Sequence, residues 1–535
     1  MEKHGYLSIV LHAHLPYVRH PEYEQFFEER WFFEALTECY IPLLRMFKRV
    51  QQDGIPFRIT ISLSPTLLTM FTDPLLRERY LRHLDSQIEL AEKEVDRTKN
   101  DHAFHALAQF YRTLNYETRD FYLNECEDGH PERAFRKLAE AGCLELITCA
   151  GTHGFLPLLQ PVKSAVRSQV MAGTQEFERI MGFPPAGIWL PECGYFPGVE
   201  TFLKEAGIRY FFLDAHGVLE STIAPPYDVM TPVACPNGVA AFGRDPASSE
   251  QVWSGSMGYP GDFDYREYYR DIGYDLPLDY IGPYILDNTT RINTGFKYYR
   301  ITDCVECEKQ PYNPHNASQK ARSHAIHFLD MKEQQINDNA FWMSRPPCIT
   351  APFDAELFGH WWFEGPLFLE HIIREAAHRT TVQLKTPSDD LNAHPNPFTT
   401  QPSASTWGHK GYNEFWLSEI NDYIYPQLLH AARVMQTIAD DFAKKKRPSA
   451  LLRRAVQQAG RSILLAQCSD WPFIMQTGTN ISYAKKRVQD HLARFYCLED
   501  MIKRNKIDKS TLAALEYLDK IFPNVDISTF TSENT

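Results

Sequence analysis

The amino-acid sequence predicts an α/β fold, either a barrel or a doubly wound sheet, followed by a helical region. Three observations carry this. Seven short, almost continuously apolar runs recur along the first two thirds of the chain: Tyr6–Leu11, Phe57–Leu63, Leu144–Cys149, Gly187–Leu190, Tyr210–Leu213, Val239–Phe242 and Cys348–Ala351. Runs of that kind suit strands buried on both faces, as in a parallel sheet. Stretches with helical spacing lie between them, at Trp31–Gln51, Pro74–Glu94, His102–Asn124, Pro131–Ala141, Ser164–Ile180 and Gly198–Ala206. Strand and helix alternating this often implies parallel βαβ units. After a Pro-, Thr- and Ser-rich connection at Lys385–Ser405 the pattern turns helical: Asn413–Leu417 onward, Pro426–Lys445, Ser449–Ala466, Ser482–Lys503 and Lys509–Lys520.

The division expected is a catalytic α/β region over residues 1–400 and a helical C-terminal domain over 401–535 that contributes to the cleft. Residues 243–314, dense in Gly, Pro, Tyr and Asp (GRDPASSEQVWSGSMGYPGDF), read as long functional loops or an inserted subdomain.

Composition narrows the function. The 44% hydrophobic and 23% charged fractions over 535 residues are those of a globular chain with a large core. A net charge of -13 argues against nucleic acid as partner, which requires clustered cations. No secretory leader and no apolar run long enough for a membrane span is seen, so the expectation is a cytoplasmic protein, a monomer or small homo-oligomer. The 11 cysteines are scattered, as reduced buried thiols would be, and the lone pair Cys304 and Cys307 lacks a second pair at zinc spacing. Aromatics reach 13%; such rings fill cores and also stack on sugar rings.

Polar clusters follow four of the predicted strands: His12 and His14 after the first, His153 in GTHGF after the third, Glu192 in WLPEC after the fourth, and Asp354 at the end of CITAPFD. Strand carboxyl ends form one rim in parallel α/β folds, so the four clusters converge on one cleft. Two carboxylates in apolar settings with Trp and His suggest glycoside chemistry, one acid attacking carbon and the other moving the proton. The same residues leave a metallohydrolase open, because His12, His14 or His360 with Asp354 and Glu356 are plausible metal ligands.

The motifs HAHLPY, GTHGFLP, WLPECGYFPG, FDAELFGHWWFEG and STWGHKGYNEFWL, in that order, resemble the five signature regions of glycoside hydrolase family 57. Within it the chain is similar to the 1,4-α-glucan branching enzymes, over about residues 5–500, including SDWPFIMQTGT. The resemblance implies an incomplete (β/α)7 barrel with an inserted helical region and a helical C-terminal domain. It also implies retaining transglycosylation on α-1,4-glucan donor and acceptor chains, without metal or other cofactor. It makes Glu192 the nucleophile and Asp354 the general acid/base, and places His12, His14 and His153 around the donor sugar. Trp407, Asp470, Arg270 and Gly295 match substrate-contacting positions.

Departures from the family pattern at Gly194, Phe196, Phe353 and Ala355 leave both carboxylates in place and bear on specificity. Trp31, Trp407 and Trp416 are candidate stacking platforms, Trp361 is expected to help dry Asp354, and Tyr259 in the loop Arg244–Asp262 is a candidate lid contact. His360 and Trp362 are expected to shape the surroundings of Asp354, and Glu356 to support it. An amylase or 4-α-glucanotransferase that does not branch is the alternative from the same fold.

Overall fold

The strands are β1 (Gly5–Ala13), β2 (Ile59–Leu63), β3 (Leu144–Cys149), β4 (Gly187–Trp189), β5 (Tyr210–Leu213), β6 (Val233–Ala234), β7 (Ala240–Gly243), β8 (Cys348–Asp354), β9 (Val382–Leu384) and β10 (Phe398–Thr399). They belong to a computed structural model that describes residues 5–254, 258–285, 289–302 and 308–532. Cys304 and Cys307 lie outside the described residues.

The sheet order is β10-β6-β7-β5-β4-β3-β2-β1-β8, with β9 against the start of β1. Every pairing from β7 to β8 along this path is parallel. All seven predicted strands are therefore present, and they form an incomplete barrel. Among the described residues β7 and β8 share no ladder; the gap is spanned by the Asp245 amide donating to the Thr350 carbonyl (2.8 Å).

Alternation along these strands decides what reaches the mouth. Side chains two apart share a face, and Val10, Ile147, Cys149, Trp189, Tyr210, Phe212, Ala240, Phe242 and Cys348 form one buried cluster. Continuing each strand by the same period leads to His12 above Val10, Asp214 above Phe212, Arg244 above Phe242 and Asp354 at the top of β8. The β1–β8 register places His12 beside Asp354, and the β1–β2 register places it beside Ser62. The lower layers are largely apolar, with Ser8, Thr60 and Thr350 among them, and the top layer gathers His12, Asp214, Arg244 and Asp354. That is the site.

The helices fall close to the predicted ranges, with informative exceptions. The first runs from Glu29 to Gln52 through one π-turn at Leu36–Tyr40. A helix of 27 residues, Pro314–Ala340, was not anticipated; Asn313 caps it, accepting from the amides of His315 and Asn316, with Pro at the first position. The stretch Asn413–Leu417 is not helical: the helix starts at Ile424. Asn421 accounts for this, accepting from the Ser418 amide (2.8 Å) and donating to the Phe415 carbonyl (2.8 Å), so side chains take the backbone groups a helix would use. The connection at 385–405 is also more ordered than its composition suggested. It carries a helix with a capping box at Thr386 and then β10, which pairs β6.

Among the described residues, 246–284 contain only short helices of eight residues or fewer, in keeping with an inserted loop region. The C-terminal helices Ile424–Ala443, Ala450–Ala466, Asp470–Thr477, Ile481–Lys503 and Lys509–Leu518 pack on one end of the barrel. They are tied to it where Gln169 donates to Gln467 (3.0 Å) and the Ser469 amide donates to the His153 carbonyl (2.8 Å).

The open seam rests on a buried ion pair. Asp245 caps the helix Pro246–Trp253 and meets Lys332 of the long helix at 3.0 Å, both side chains out of solvent. Removing one member of such a pair strands the other charge. Asp245→Ala is expected to lower unfolding stability by roughly 3–5 kcal/mol in denaturant titration, while Asp245→Ala combined with Lys332→Met recovers most of the loss.

Candidate active site

Glu192 follows β4 in a tight turn. Pro191 fixes the entry, the Cys193 amide donates to the Leu190 carbonyl (2.8 Å), and Glu192 itself adopts φ 61, ψ 22. A non-glycine residue held in the left-handed region stores strain that its surroundings must overcome. Here the restraint comes from the far end of the chain. The Trp407 amide donates to the Glu192 carbonyl (3.0 Å), Trp407 Nε1 donates to Oε2 (3.1 Å), and Ser469 Oγ donates to Oε1 (2.9 Å). His153, also left-handed at φ 58, places Nδ1 3.6 Å from Oε1.

Behind the carboxylate runs a hydrogen-bonded chain. His12 Nε2 meets His153 Nε2 at 3.0 Å, and His153 Nδ1 meets Ser469 Oγ at 2.7 Å. Burial, followed by the neighbouring imidazoles, holds both rings well below the ordinary histidine range, so both are neutral. With Ser469 donating to the carboxylate, each neutral ring has one proton to give and the direction is assigned. His12 donates to His153, His153 to Ser469, and Ser469 to Glu192. His14 lies in a stack with His153 (centroids 3.8 Å) and pairs with Asp470 through Nε2 (2.9 Å). Although burial opposes ionisation of Asp470, His14 keeps its carboxyl well below the usual range.

The two acids differ in their surroundings. Burial and then the charge of Asp470 push Glu192 up to about 7, against the pull of Trp407 and Ser469. Asp354 is raised well above its ordinary value by burial, then by Glu356 and Glu192, with Arg244 opposing. Asp354 therefore holds its proton. Glu356 supports the loop: it accepts from the His14 amide (3.2 Å) and from the Tyr40 hydroxyl.

A cleft of about 310 Å³ has Glu192 and Asp354 together in its wall. His12, His14, His153, Trp407 and Asp470 join them, with Trp31 and Trp361 on the outer walls. Trp361 is 45% exposed, and Trp31 packs edge-on against Tyr483 (5.7 Å).

Four expected members are elsewhere. Trp416 is 1% exposed and stacks on Phe155 (4.6 Å): it is core beneath the cleft. Tyr259 points into the long helix, its hydroxyl 2.8 Å from His327 Nδ1 and its ring stacked on His324. Arg270 lies over the Tyr299 ring (3.8 Å) and pairs with Asp275. Gly295 borders a second cavity of about 250 Å³ with Arg266, Lys297, Glu34, Glu38 and His360. His360 faces that cavity too, bonded to Glu38 at 2.6 Å, and Trp362 is buried against Phe368. Of the three residues expected to dry Asp354, Trp361 alone lines the cleft.

Sequence reasoning missed Ser469, Arg244 and Asp214. Arg244 donates to Asp214 (3.2 Å) and lies 5.6 Å over the Trp407 ring. The period-two rule applied to β5 and β7 reaches both residues. Ser469 stood next to a residue already singled out.

Two groups have metal-ligand spacing: His14, His153 and Asp470, and His12, Cys149 and His153. Both His153 nitrogens, His14 Nε2 and the Asp470 carboxylate are already hydrogen-bonded to one another or to Ser469, His12 and Cys468. His14 Nδ1 is the exception, buried without a hydrogen-bond partner among the described residues.

The family model described as glycosyl hydrolase family 57 matches residues 8–401, and that of the 1,4-alpha-glucan branching enzyme C-terminal region matches residues 427–530. The chain is 32% identical to the 1,4-alpha-glucan branching enzyme TK1436 of Thermococcus kodakarensis, over 99% of this chain and 79% of that protein. Among solved structures it superposes on the alpha-amylase AmyC of Thermotoga maritima with TM-score 0.92 at 42% identity, covering 98% of this chain and 99% of that one. It superposes on the GH57-type branching enzyme of Pyrococcus horikoshii with TM-score 0.88 at 30% identity, covering 99% and 97%.

The Ser469 hydrogen bond favours the ionised form of Glu192. Ser469→Ala is therefore expected to move the acid limb of the kcat/KM–pH profile upward by roughly one pH unit, since a hydrogen bond to a charged group is worth ~1.5 kcal/mol. Ser469→Thr restores the profile.

Proposed function

The chain belongs to glycosyl hydrolase family 57, and on that premise we propose that it is a retaining 1,4-α-glucan branching enzyme with Glu192 as nucleophile and Asp354 as general acid/base. One observation supports the assignment of roles: the two carboxylates share one cleft, where Trp407 and Ser469 donate to Glu192 and so favour its anion, while burial and the carboxylates of Glu356 and Glu192 raise Asp354. Glu192, ionised, attacks C1 of an α-1,4-linked glucosyl unit. Asp354 gives its proton to the departing oxygen, and a glucosyl ester forms on Glu192. Asp354, now ionised, takes the proton from the 6-hydroxyl of an acceptor chain as that oxygen attacks C1 and releases Glu192.

The neutral His12–His153–Ser469 chain suits this cycle. It stabilises the carboxylate that leaves in the second step without adding a proton donor strong enough to quench it. His14, His153, Trp407 and Asp470 surround the donor sugar in this reading, and Trp31 and Trp361 cover it. Residues 1–400 supply both acids, while the region after 401 supplies Trp407, Ser469 and Asp470. The likeness to branching enzymes at both ends of the chain supports branching over simple transfer. Glycogen is the expected polymer, and the cytoplasm the expected place.

A second reading is α-amylase, with water in place of the acceptor hydroxyl. The likeness to AmyC, higher in identity than that to the Pyrococcus horikoshii protein, favours it. The two readings differ only in what reaches the glucosyl ester.

Incubation of the protein with amylose, followed by debranching and chain-length analysis, separates them: new α-1,6 linkages are expected, and a product of short linear chains alone establishes the amylase. Glu192→Gln and Asp354→Asn are each expected to reduce turnover by roughly 1,000-fold or more, with an unchanged circular dichroism spectrum. Exhaustive chelation is expected to leave turnover unaltered; loss of activity restored by one divalent metal would point instead to the histidine clusters as a metal centre.

A further inference from the structure

Folding does not explain an apolar strip on the C-terminal region that begins at the cleft and leads away from it. Phe473 lines the cleft from the helix Asp470–Thr477 and is 38% exposed. Its ring lies 5.5 Å from Phe415. Beyond Phe415, the turns leading to Ile424 present Leu417, Ile420 and Tyr423, each between 42% and 46% exposed.

The strip is held rigid. Asn421, fully buried, donates both to the Phe415 carbonyl (2.8 Å) and to the Pro472 carbonyl (3.0 Å). Ser418 donates to Gln476 (2.6 Å), the Tyr423 hydroxyl meets Met475 Sδ (3.6 Å), and buried Trp416 lies underneath. These bonds hold four apolar side chains toward solvent, at a standing cost in hydration. Polar groups accompany them: Glu419 and Asp422 alternate with them in sequence, and Thr477, Thr479 and Asn480 continue into the cleft, while Lys485 Nζ stands 5.9 Å over one face of the Tyr423 ring. Apolar faces accompanied by hydroxyl and carboxylate groups match a pyranose, whose C–H faces stack on rings while its hydroxyls reach sideways.

We propose that the strip Phe473–Leu417–Ile420–Tyr423 is a binding subsite for the part of a linear α-1,4-glucan chain that extends beyond the catalytic cleft. This rests on the α-glucan reading above and deepens it, because a chain bound outside the cleft lets the protein select for length. Its occupant follows from continuity: the strip starts at a cleft-lining residue, and a polymer gripped in the cleft passes over it on the way out. The rings that Trp416 was expected to offer are offered by its neighbours.

Calorimetric titration of the Glu192→Gln protein with maltotriose and with long linear amylose tests this. In that background, Tyr423→Ala with Ile420→Ser is expected to weaken amylose binding by about 5-fold or more, a loss of the size aromatic stacking supplies, and to leave maltotriose binding unchanged. Phe341→Ala, an exposed aromatic elsewhere, serves as control and is expected to change neither. Unchanged amylose binding in the strip variant overturns the proposal, as does an equal loss for both ligands, which would mean that the substitutions act through the cleft. Failure of the Glu192→Gln parent to bind either ligand would overturn the α-glucan reading itself.

Discussion

Glu192 is held in a left-handed backbone conformation, and its carboxylate accepts from Trp407 and Ser469, residues 215 and 277 positions further along the chain. The rest of the site depends on this arrangement. A buried carboxylate with one charged neighbour of the same sign would sit protonated and inert. Two directed donors, one of them backed by a relay of neutral imidazoles, bring it to a value near 7 instead of far above. Asp354, across the cleft, receives no such help: the carboxylates nearest to it raise it, and only Arg244 pulls the other way. One rim thus carries one acid with two donors aimed at its carboxylate and one whose burial and acidic neighbours favour its proton.

Much of this was legible in the sequence. Buried parallel strands need apolar residues on both faces, so all seven could be read from composition, and the polar residue ending each run marks the rim. Extending the alternation two residues past β5 and β7 would also have reached Asp214 and Arg244, because the rule continues where the hydrophobicity stops. Other features left weaker signals. The first half of the helix Pro314–Ala340 buries Ala317, Ala321 and Ala325, too small to stand out as hydrophobic, and the large apolar residues Phe328, Leu329 and Ile336 come only in its second half, around a buried Lys332. Nothing local distinguishes Trp416, which is core, from Trp407, which bonds Glu192; the difference is which face of a turn-rich segment packs on Phe155, and that is settled by tertiary contact. Tyr259 fell to the same limit. A loop tyrosine near an active site can point either way, and His324 and His327 on a helix the sequence did not announce take it.

The loop after β8 shows how the mouth is kept in register. Gly359 has φ 119, and a Cβ there would lie 1.9 Å from the Glu38 carbonyl oxygen, within the π-turn of the first helix. That turn also sends Tyr40 to Glu356, Cys39 to the Ala355 carbonyl (3.0 Å) and Glu38 to His360. A single widened helical turn therefore fastens the segment that follows Asp354, as π-turns at functional sites often do. Its Thr37 and Glu38 line the second cavity, and Tyr40 bonds Glu356, which lines the cleft, so the turn touches the walls of both.

The division of labour along the chain has a consequence for synthesis. A ribosome that has released every strand of the sheet has supplied both carboxylates but neither of the side chains that bond the one on β4's turn, since Ser469 and Trp407 lie downstream of β10. The half-made protein is a barrel whose acid is not yet tuned. The carboxylate of Glu192 gains its two donors only after the late segments have docked.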